Sequence, residues 1–309
     1  MGSFTERTTH PSCRLSHKTG HRNLGDAESR RLVDLTWRTG ERVLWDGSRT
    51  LVMGILNVTP DSFSDGGEFD DRDSAIEQGL GLAGAGADIV DIGGESTRPG
   101  SEPVPQEVEQ ARVLPVVEAL VSQGVTVSID TSKPGVARAA VAAGASIIND
   151  VTGFRSSEMA DVAADAGVAV VAMHMLGEPR TMQEDPSYED VVGEVASYLM
   201  RQAAILRNAG VEASAIAIDP GVGFGKTVDH NLQLLRHLDR FVLSGYPVVL
   251  GASRKSFIGS VLGGRGPADR DVGTAATVVA GVLAGVAVVR VHNVDMCLQA
   301  ARMADAIVG

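Results

Sequence analysis

Polar and charged residues recur at the ends of short apolar runs along this sequence. Each run of Val, Ile, Leu and Ala finishes in an acid, an amide, a hydroxyl, a histidine or a basic side chain. The residues at these positions are Asn57, Asp91, Glu95, Asp130, Asn149, Asp150, His174, Asp219, Ser253, Lys255, Arg290 and His292. A single polar residue after one strand is usually a cap or a loop anchor. Its repetition after every run predicts that these side chains line one polar pocket.

Three of these residues suit a flat nitrogen heterocycle. Asp130, Asn149 and Asp219 have short, stiff side chains that accept or donate hydrogen bonds. A carboxylate accepts two parallel hydrogen bonds from an N–C–N edge, so an amide- or guanidine-rich ring is the expected ligand.

The last two runs end in a cluster of cations. Arg290 and His292 are two positions apart, so they point to the same side of a strand. Arg254 and Lys255, after Ser253, add two more cations at the preceding run. This cluster predicts a phosphate or pyrophosphate site, and a ring of structural ion pairs is the alternative.

Eight apolar runs have to position these groups. They span 51–58, 87–94, 125–131, 145–151, 168–174, 215–221, 247–253 and 286–292. Continuous apolar runs of this length indicate parallel strands buried on both faces, and the Ala-rich stretches between them predict crossover helices, several ending in Gly. Eight such units predict an α/β fold, a (β/α)8 TIM barrel, whose active site lies at the carboxyl ends of the strands. A doubly wound open sheet is the alternative, but it would carry a G-x-G-x-x-G turn after its first strand, and 57–70 has none.

The chain before the first run divides in two. Residues 1–34 are rich in Thr, His, Arg and Ser and predict a disordered tail. Residues 35–309 are interpreted as a single TIM-barrel domain, which begins with a small hairpin around Gly40 and Gly47.

Three glycine-bearing loops follow predicted strands. The loops 59–70 and 93–104 are candidate lids over the barrel mouth, with ordinary surface connection as the alternative. The segment DPGVGFGKT, 219–227, has three residues where a nucleotide-binding P-loop needs four between its first Gly and the Gly-Lys pair. We therefore interpret it as a loop that approaches a ligand closely and places Phe224 against it; a Phe tucked into the core is the alternative.

Composition excludes several classes of function. A net charge of −12 repels nucleic acid and anionic membranes. The apolar runs are shorter than the roughly 18 residues of a membrane-spanning helix. Cys13 and Cys297 have no paired spacing, which favours a reducing compartment, the cytoplasm, over a disulfide framework. His and Cys do not cluster at metal-ligand spacing, so any magnesium is expected to arrive with phosphate and to use one or two protein oxygens.

Nine segments resemble the successive signatures of the dihydropteroate synthases, a family of pterin-binding TIM barrels. They are GILNVTPDSFSDGG, DIGGESTRPG, SIDTSKP, IINDV, AMHMLGEPRTMQ, DPGVGFGKT, NLQLL, GASRKSFIG and RVHNV. The resemblance implies a transferase of folate biosynthesis. It would join 6-hydroxymethyl-7,8-dihydropterin pyrophosphate to p-aminobenzoate, giving 7,8-dihydropteroate and pyrophosphate. It also implies dependence on Mg2+, inhibition by sulfonamides and a homodimer.

The resemblance further implies roles for individual residues. The pterin-binding set would be Asp130, Asn149, Met173, Asp219, Lys255 and Arg290. The p-aminobenzoate set would be Thr97, Pro99, Phe224 and Ser253. The pyrophosphate set would be Asn57, Arg290 and His292, with Mg2+ held partly through Asn57. The catalytic set would be Asp130, Asp219, Lys255, Arg290 and His292, and Asp61, Phe63 and Asp65 of the first loop would order over the site.

Three other functions stay open at this point. A silent paralogue would keep the pocket without the chemistry, although NVTPDSF and SRKS are both intact here. A corrinoid-linked methyltetrahydrofolate methyltransferase shares the pterin-binding barrel, but SRKS and STRPG are not expected in it. A barrel that binds a pterin without turnover is the third.

Overall fold

The computed structural model describes residues 35–59, 68–96, 100–178 and 180–309. The predicted tail over 1–34 lies outside these residues, as do Asp61, Phe63, Asp65, Thr97 and Pro99. Within the described part, every helix is too short or too polar to cross a membrane.

Ten strands are present in the described ranges, two in a hairpin and eight in one parallel sheet. They are β1 Trp37–Thr39, β2 Arg42–Trp45, β3 Leu51–Asn57, β4 Ile89–Gly93, β5 Val127–Asp130, β6 Ile147–Asp150, β7 Ala169–Met173, β8 Ile216–Asp219, β9 Val249–Leu250 and β10 Val288–Val291. The sheet order is β8-β7-β6-β5-β4-β3-β10-β9, and a parallel bridge between Ile218 and Val248 joins its two edges. This closed sheet confirms the predicted (β/α)8 barrel, and each strand lies within its predicted run.

The helices that follow these strands form the outer layer. They are α1 Glu68–Gly84, α2 Gln106–Ser122, α3 Pro134–Ala142, α4 Ser157–Ala166, α5 Val191–Asn208, α6 Val228–Arg236, α7 Leu238–Val242, α8 Ser256–Val261, α9 Asp271–Ala284 and α10 Val294–Val308. The predicted Gly stops are observed where the chain turns left-handed, with Gly124 (φ +78°) after α2, Gly144 (φ +106°) after α3 and Gly210 (φ +103°) after α5.

The predicted hairpin closes the amino-terminal end of the barrel. Strands β1 and β2 pair antiparallel through a turn at Gly40, where φ is +51°. Trp37 is fully buried, and its indole N–H donates to the Ala215 carbonyl at 3.0 Å. The Thr39 hydroxyl donates to the Ser146 carbonyl at 2.8 Å. A buried aromatic with its polar atom satisfied therefore covers the bottom of the barrel core.

The barrel interior is built in layers, because every second residue of a strand points inward. The layer next to Trp37 is apolar and includes Met53, Ile89, Ile147, Val171, Ala217 and Val288. Two positions further along the strands, the inward residues are Ile55, Asp91, Asn149, Met173, Asp219 and Arg290. Polar groups thus enter the barrel one layer above its apolar core, at the carboxyl ends of the strands.

Candidate active site

The register of the sheet brings the strand-end residues to one edge. Gly93 pairs with Asp130, Asp130 with Asn149, and Met173 with Asp219. Arg290 lies on β10, which is the neighbour of β3, the strand that ends at Asn57. The predicted pocket at the carboxyl ends of the strands is therefore present, and its acids and its arginine face one another across the barrel mouth.

One arginine joins two acids at the centre of this mouth. Arg290 Nε donates to Asp91 Oδ2 at 2.5 Å, and its Nη2 donates to Asp130 Oδ2 at 2.6 Å. Asn149 Nδ2 donates to the same Asp91 oxygen at 3.1 Å. We call Asp91, Asp130 and Arg290 the acid–arginine centre. Burial opposes the charge on Arg290, but the two carboxylates outweigh it and raise the pKa of the guanidinium above its ordinary value.

The acid–arginine centre has two acids for one arginine. Burial raises the pKa of Asp130, Arg290 opposes that shift, and the charge of Asp91 adds to it. Within the described part, Asp91 Oδ1 and Asp130 Oδ1 are buried and have no hydrogen-bond partner. Buried carboxylate oxygens without partners are costly, so these two atoms are acceptors suited to the N–H groups of a ligand.

A second acid and a lysine form the opposite wall. Asp219 Oδ1 accepts from the Gly221 backbone N–H at 2.7 Å, and burial raises the pKa of this carboxyl group. The Lys255 ammonium donates to the Val222 carbonyl and lies 4.1 Å from the centroid of the Phe224 ring. Burial lowers the pKa of Lys255 to about 7, although Asp219 opposes the shift. This amine is therefore poised between its charged and neutral forms near neutral pH.

An apolar wall adjoins these polar groups. Met173 and Phe224 pack with Val151, Met175 and Met182 in one buried cluster. The pocket thus combines hydrogen-bonding acids with an apolar, partly aromatic surface, as a flat ring requires.

The last two strands supply a hydroxyl and an imidazole. Ser253 Oγ and His292 Nδ1 are 3.0 Å apart, and the His292 backbone N–H donates to the same hydroxyl at 3.2 Å. Arg254, which the sequence groups with the cations of this site, is bonded elsewhere. Its Nε and Nη2 donate to the two carboxylate oxygens of Asp271 at 2.6 and 2.8 Å, so the ion-pair alternative holds for Arg254.

The family is decided by sequence. Residues 53–292 match the model of the family described as "Pterin binding enzyme". The dihydropteroate synthase of Bacillus subtilis is 47% identical over 261 residues, which cover 84% of this chain and 89% of that protein. The chain belongs to the dihydropteroate synthases. The resemblance found in the nine motifs is confirmed.

Solved structures of dihydropteroate synthases share the fold. That of Xanthomonas albilineans with 4-aminobenzoic acid has a TM-score of 0.81 and 45% identity, over 87% of this chain and 95% of that one. That of Burkholderia cenocepacia complexed with 7,8-dihydropteroate has a TM-score of 0.79 and 44% identity, over 88% of this chain and 96% of that one.

Two strand-end residues of this chain lie outside the pocket. Asp150 and His174 follow the inward residues Asn149 and Met173, so strand alternation turns them to the outer face. The Asp150 carboxylate accepts from the Thr152 N–H and hydroxyl, both at 2.8 Å, and from the Phe154 N–H at 2.9 Å. Glu95 is bonded to Lys133, which also bonds the buried Glu109 at 2.5 Å. These residues anchor turns and loops.

Asp91 is the residue that the sequence-based set of site residues lacks. The sequence marks it as a strand-end acid, and the family resemblance implies no binding or catalytic role for it. The structure places it in the acid–arginine centre with an exposed fraction of 0%. The signal that identifies it is a lone carboxylate at an inward position of a buried strand, since such a charge needs a partner.

Proposed function

We propose that the mouth of this barrel joins 6-hydroxymethyl-7,8-dihydropterin pyrophosphate to p-aminobenzoate in folate biosynthesis, releasing 7,8-dihydropteroate and pyrophosphate. The observation that carries this proposal is the acid–arginine centre, which has two carboxylate oxygens without a hydrogen-bond partner among the described residues. A partly buried lysine, Lys255, and an apolar cluster belong to the same barrel mouth. The relatives from X. albilineans and B. cenocepacia contain one substrate and the product of this reaction.

The pterin is proposed to lie among the strand ends. Carboxylates of Asp130 and Asp219 would accept hydrogen bonds from the amino-pyrimidine edge of the pterin. Asn149 and Lys255 would form hydrogen bonds with the remaining polar atoms of the pterin. Met173 and Arg290 would pack against the two faces of the ring. The support is that Met173 ends β7 next to Asp219 and that both residues are buried.

The other two ligands are proposed to flank the pterin. Phe224 and Ser253 would contact p-aminobenzoate, together with Thr97 and Pro99 from the part of the chain that is not described. Asn57, Arg290 and His292, on the adjacent strands β3 and β10, would bind the pyrophosphate. Arg290 has five N–H donors and uses two of them on the acids, so the same guanidinium can contact both parts of the substrate.

Bond breaking is proposed to come before bond making. The C–O bond between the pterin methylene and pyrophosphate breaks, and its electron pair leaves with pyrophosphate. The pterin ring and the carboxylates of Asp130 and Asp219 stabilise the resulting cation, while Arg290 and His292 stabilise the leaving group. The amine of p-aminobenzoate then attacks the methylene and loses a proton, so no side-chain nucleophile is needed.

Magnesium is proposed to bind with the pyrophosphate. Among the described residues, no group of three or more His, Cys, Asp or Glu side chains could hold a metal ion by itself. The Asn57 amide oxygen at the end of β3 fits an ion that takes its other ligands from a diphosphate and water. When bound, such an ion neutralises charge on the leaving group.

Chelation of magnesium with EDTA is expected to lower turnover about 100-fold, because the charge of the leaving group is then less well stabilised. Steady-state rates with and without excess MgCl2 measure this effect. The variant Asn57→Ala should need more MgCl2 for half-maximal rate, whereas full turnover in EDTA would contradict the proposal.

One assay tests the proposed reaction against its alternatives. The purified chain is mixed with the pterin pyrophosphate, p-aminobenzoate and MgCl2, and both pyrophosphate and 7,8-dihydropteroate are measured. Equal amounts of the two products support the synthase. Pterin binding without product would indicate a silent paralogue or a binding barrel, and methyl transfer to a cobalamin protein would indicate the methyltransferase.

A homodimer through the outer helices is also proposed. Val272 and Leu283 are exposed on α9, and Met303 and Ile307 are exposed one turn apart on the neighbouring α10. Exposed apolar side chains grouped on adjacent helices favour association. Sedimentation equilibrium is expected to give twice 32.2 kDa, and Ile307→Glu is expected to shift the mass toward one copy. A single-copy mass for the unchanged chain at micromolar concentration would rule the dimer out.

The enzyme is proposed to work in the cytoplasm. Cys297 is buried and unpaired in the described part, which suits a reducing compartment. Fractionation of cells that express the full chain tests this location.

A further inference from the structure

The loop 221–225, here called the glycine loop, has a side chain bonded to each of its backbone carbonyls. Lys226 donates to the carbonyls of Gly221 and Phe224, and Lys255 donates to that of Val222. Gln183 donates to the carbonyl of Gly223, and the Tyr188 hydroxyl donates to that of Gly225. Loops seldom need so many side-chain donors, because their carbonyls can bond water. This loop is held in one conformation by its neighbours.

Lys226 is the buried centre of that arrangement. Its side chain bonds Gly221 O and Phe224 O at 2.9 Å each, and its third neighbour is His174 Nδ1 at 3.0 Å. The residue is 3% exposed. An ammonium group has three N–H donors, and three acceptors lie within 3.0 Å of this one, with the His174 carbonyl oxygen farther away at 3.5 Å. Burial lowers the pKa of His174 to about 3, so the imidazole is neutral and can accept this hydrogen bond.

The glycine loop is also packed too tightly for side chains. Gly221, Gly223 and Gly225 have φ of +67°, +87° and +59°. A Cβ atom at Gly221 would lie 1.8 Å from the His174 carbonyl oxygen, and one at Gly223 would lie 2.5 Å from Lys255 Cδ. Small movements of this loop would therefore be transmitted to Lys255 and to the end of β7.

The conformation of the loop sets the position of the Phe224 ring. Lys226 bonds the carbonyl of Phe224 itself, and the ring lies beneath the Lys255 ammonium at 4.1 Å. Asp130 and Asn149, in contrast, are held by strands β5 and β6. A loosened glycine loop should thus disturb the Phe224 side of the pocket more than the side of the two strand residues.

We propose that Lys226 is a positioning residue for the p-aminobenzoate subsite, which it controls through the glycine loop without touching the ligand. This inference rests on the proposed function, because that function supplies the ligand of Phe224. A buried charge contributes little to stability compared with an apolar residue of the same size. A lysine in this position is better explained by the geometry that it imposes on the loop.

The test is Lys226→Met in the full chain. The KM for p-aminobenzoate is expected to rise about 10- to 100-fold, since a displacement of about 1 Å has effects of this order. The KM for the pterin pyrophosphate should rise by a clearly smaller factor, because Lys255 adjoins the loop but Asp130 and Asn149 are held by strands. Gln183→Ala is the matched control, because Gln183 also donates to a loop carbonyl, at 2.8 Å, but lies at the exposed surface. It should leave both KM values nearly unchanged.

Amide hydrogen exchange gives a readout that does not depend on turnover. Exchange over 221–226 is expected to speed up in Lys226→Met and to stay slow in Gln183→Ala. If Lys226→Met does not fold, Lys226→Gln keeps a shorter donor and should show the same changes to a smaller degree. Unchanged exchange, an unchanged KM for p-aminobenzoate, or equal increases in both KM values would overturn the inference. Slow turnover by the unchanged chain would instead count against the proposed function, while the exchange result would still decide the role of Lys226.

Discussion

The variant Asp130→Asn is expected to lower kcat about 100- to 1000-fold, equivalent to roughly 3–4 kcal/mol of transition-state stabilisation. Asn keeps the size of the side chain but removes its negative charge. Asp130 Oδ2 accepts from Arg290 at 2.6 Å, and Oδ1 is buried without a partner among the described residues, so the carboxylate faces the pocket directly. A cation that forms on the pterin methylene would lose one of its two stabilising acids. The measurement is kcat from steady-state assays, with the Kd of the pterin substrate from calorimetry.

Asp150→Asn is the matched control for this experiment. Asp150 is also a buried acid at a strand end, but its carboxylate bonds the turn at Thr152 and Phe154. The change should lower the free energy of unfolding by about 1–3 kcal/mol, because the donors of the turn lose a charged acceptor. Its kcat should stay within about threefold of the original, since the two sites are independent. Near-normal kcat in Asp130→Asn with unchanged pterin binding would show that the electrostatic role is wrong.

The contrast between these two acids shows how far the sequence predicts the site. Apolar runs and Ala-rich stretches predicted eight strands and their helices because both faces of a parallel sheet are buried. Strand alternation then distinguishes Asn149 from Asp150 and Met173 from His174, as one residue of each pair must point inward. Applied to Asp91, the same rule marks an inward acid that the motif resemblance alone did not assign.

Other features of the site depend on contacts that local sequence does not encode. Arg254 and Lys255 are adjacent cations, yet Arg254 pairs with Asp271 and Lys255 reaches the glycine loop. The difference follows from the backbone, because Arg254 has a φ of +57° and its N–H bonds Thr274. Similarly, GKT in the segment 219–227 fails as a P-loop, and only the folded chain shows that Lys226 is turned inward to bond His174.

The variant Arg290→Met is expected to have the largest effect on stability. Removing one partner of a buried ion pair costs about 3–5 kcal/mol, because the remaining charge has no compensation. Two carboxylates share this arginine, and Asp91 is fully buried. Chemical denaturation at pH 8 measures the free energy of unfolding. Arg254→Met is the matched control, since Arg254 also pairs with an acid but is about one third exposed, and its loss should cost about 1 kcal/mol or less.

The dependence on pH separates this explanation from a simple loss of packing. Without Arg290, the pKa of Asp130 in the folded chain should lie further above its value in the unfolded chain, because burial already raises it and the opposing cation is lost. Between the two values the folded chain binds more protons, so the stability of the variant falls as pH rises. The deficit relative to the original chain should therefore be smaller at pH 5 than at pH 8. The double variant Arg290→Met, Asp91→Asn should unfold at pH 8 with a free energy about 1–3 kcal/mol higher than that of Arg290→Met alone. The reason is that Asn removes the buried charge that Arg290 had compensated, and coupling energies of this size are usual for residues in direct contact. A deficit that is equal at both pH values and is not relieved by Asp91→Asn would mean that Arg290 contributes through packing rather than through charge.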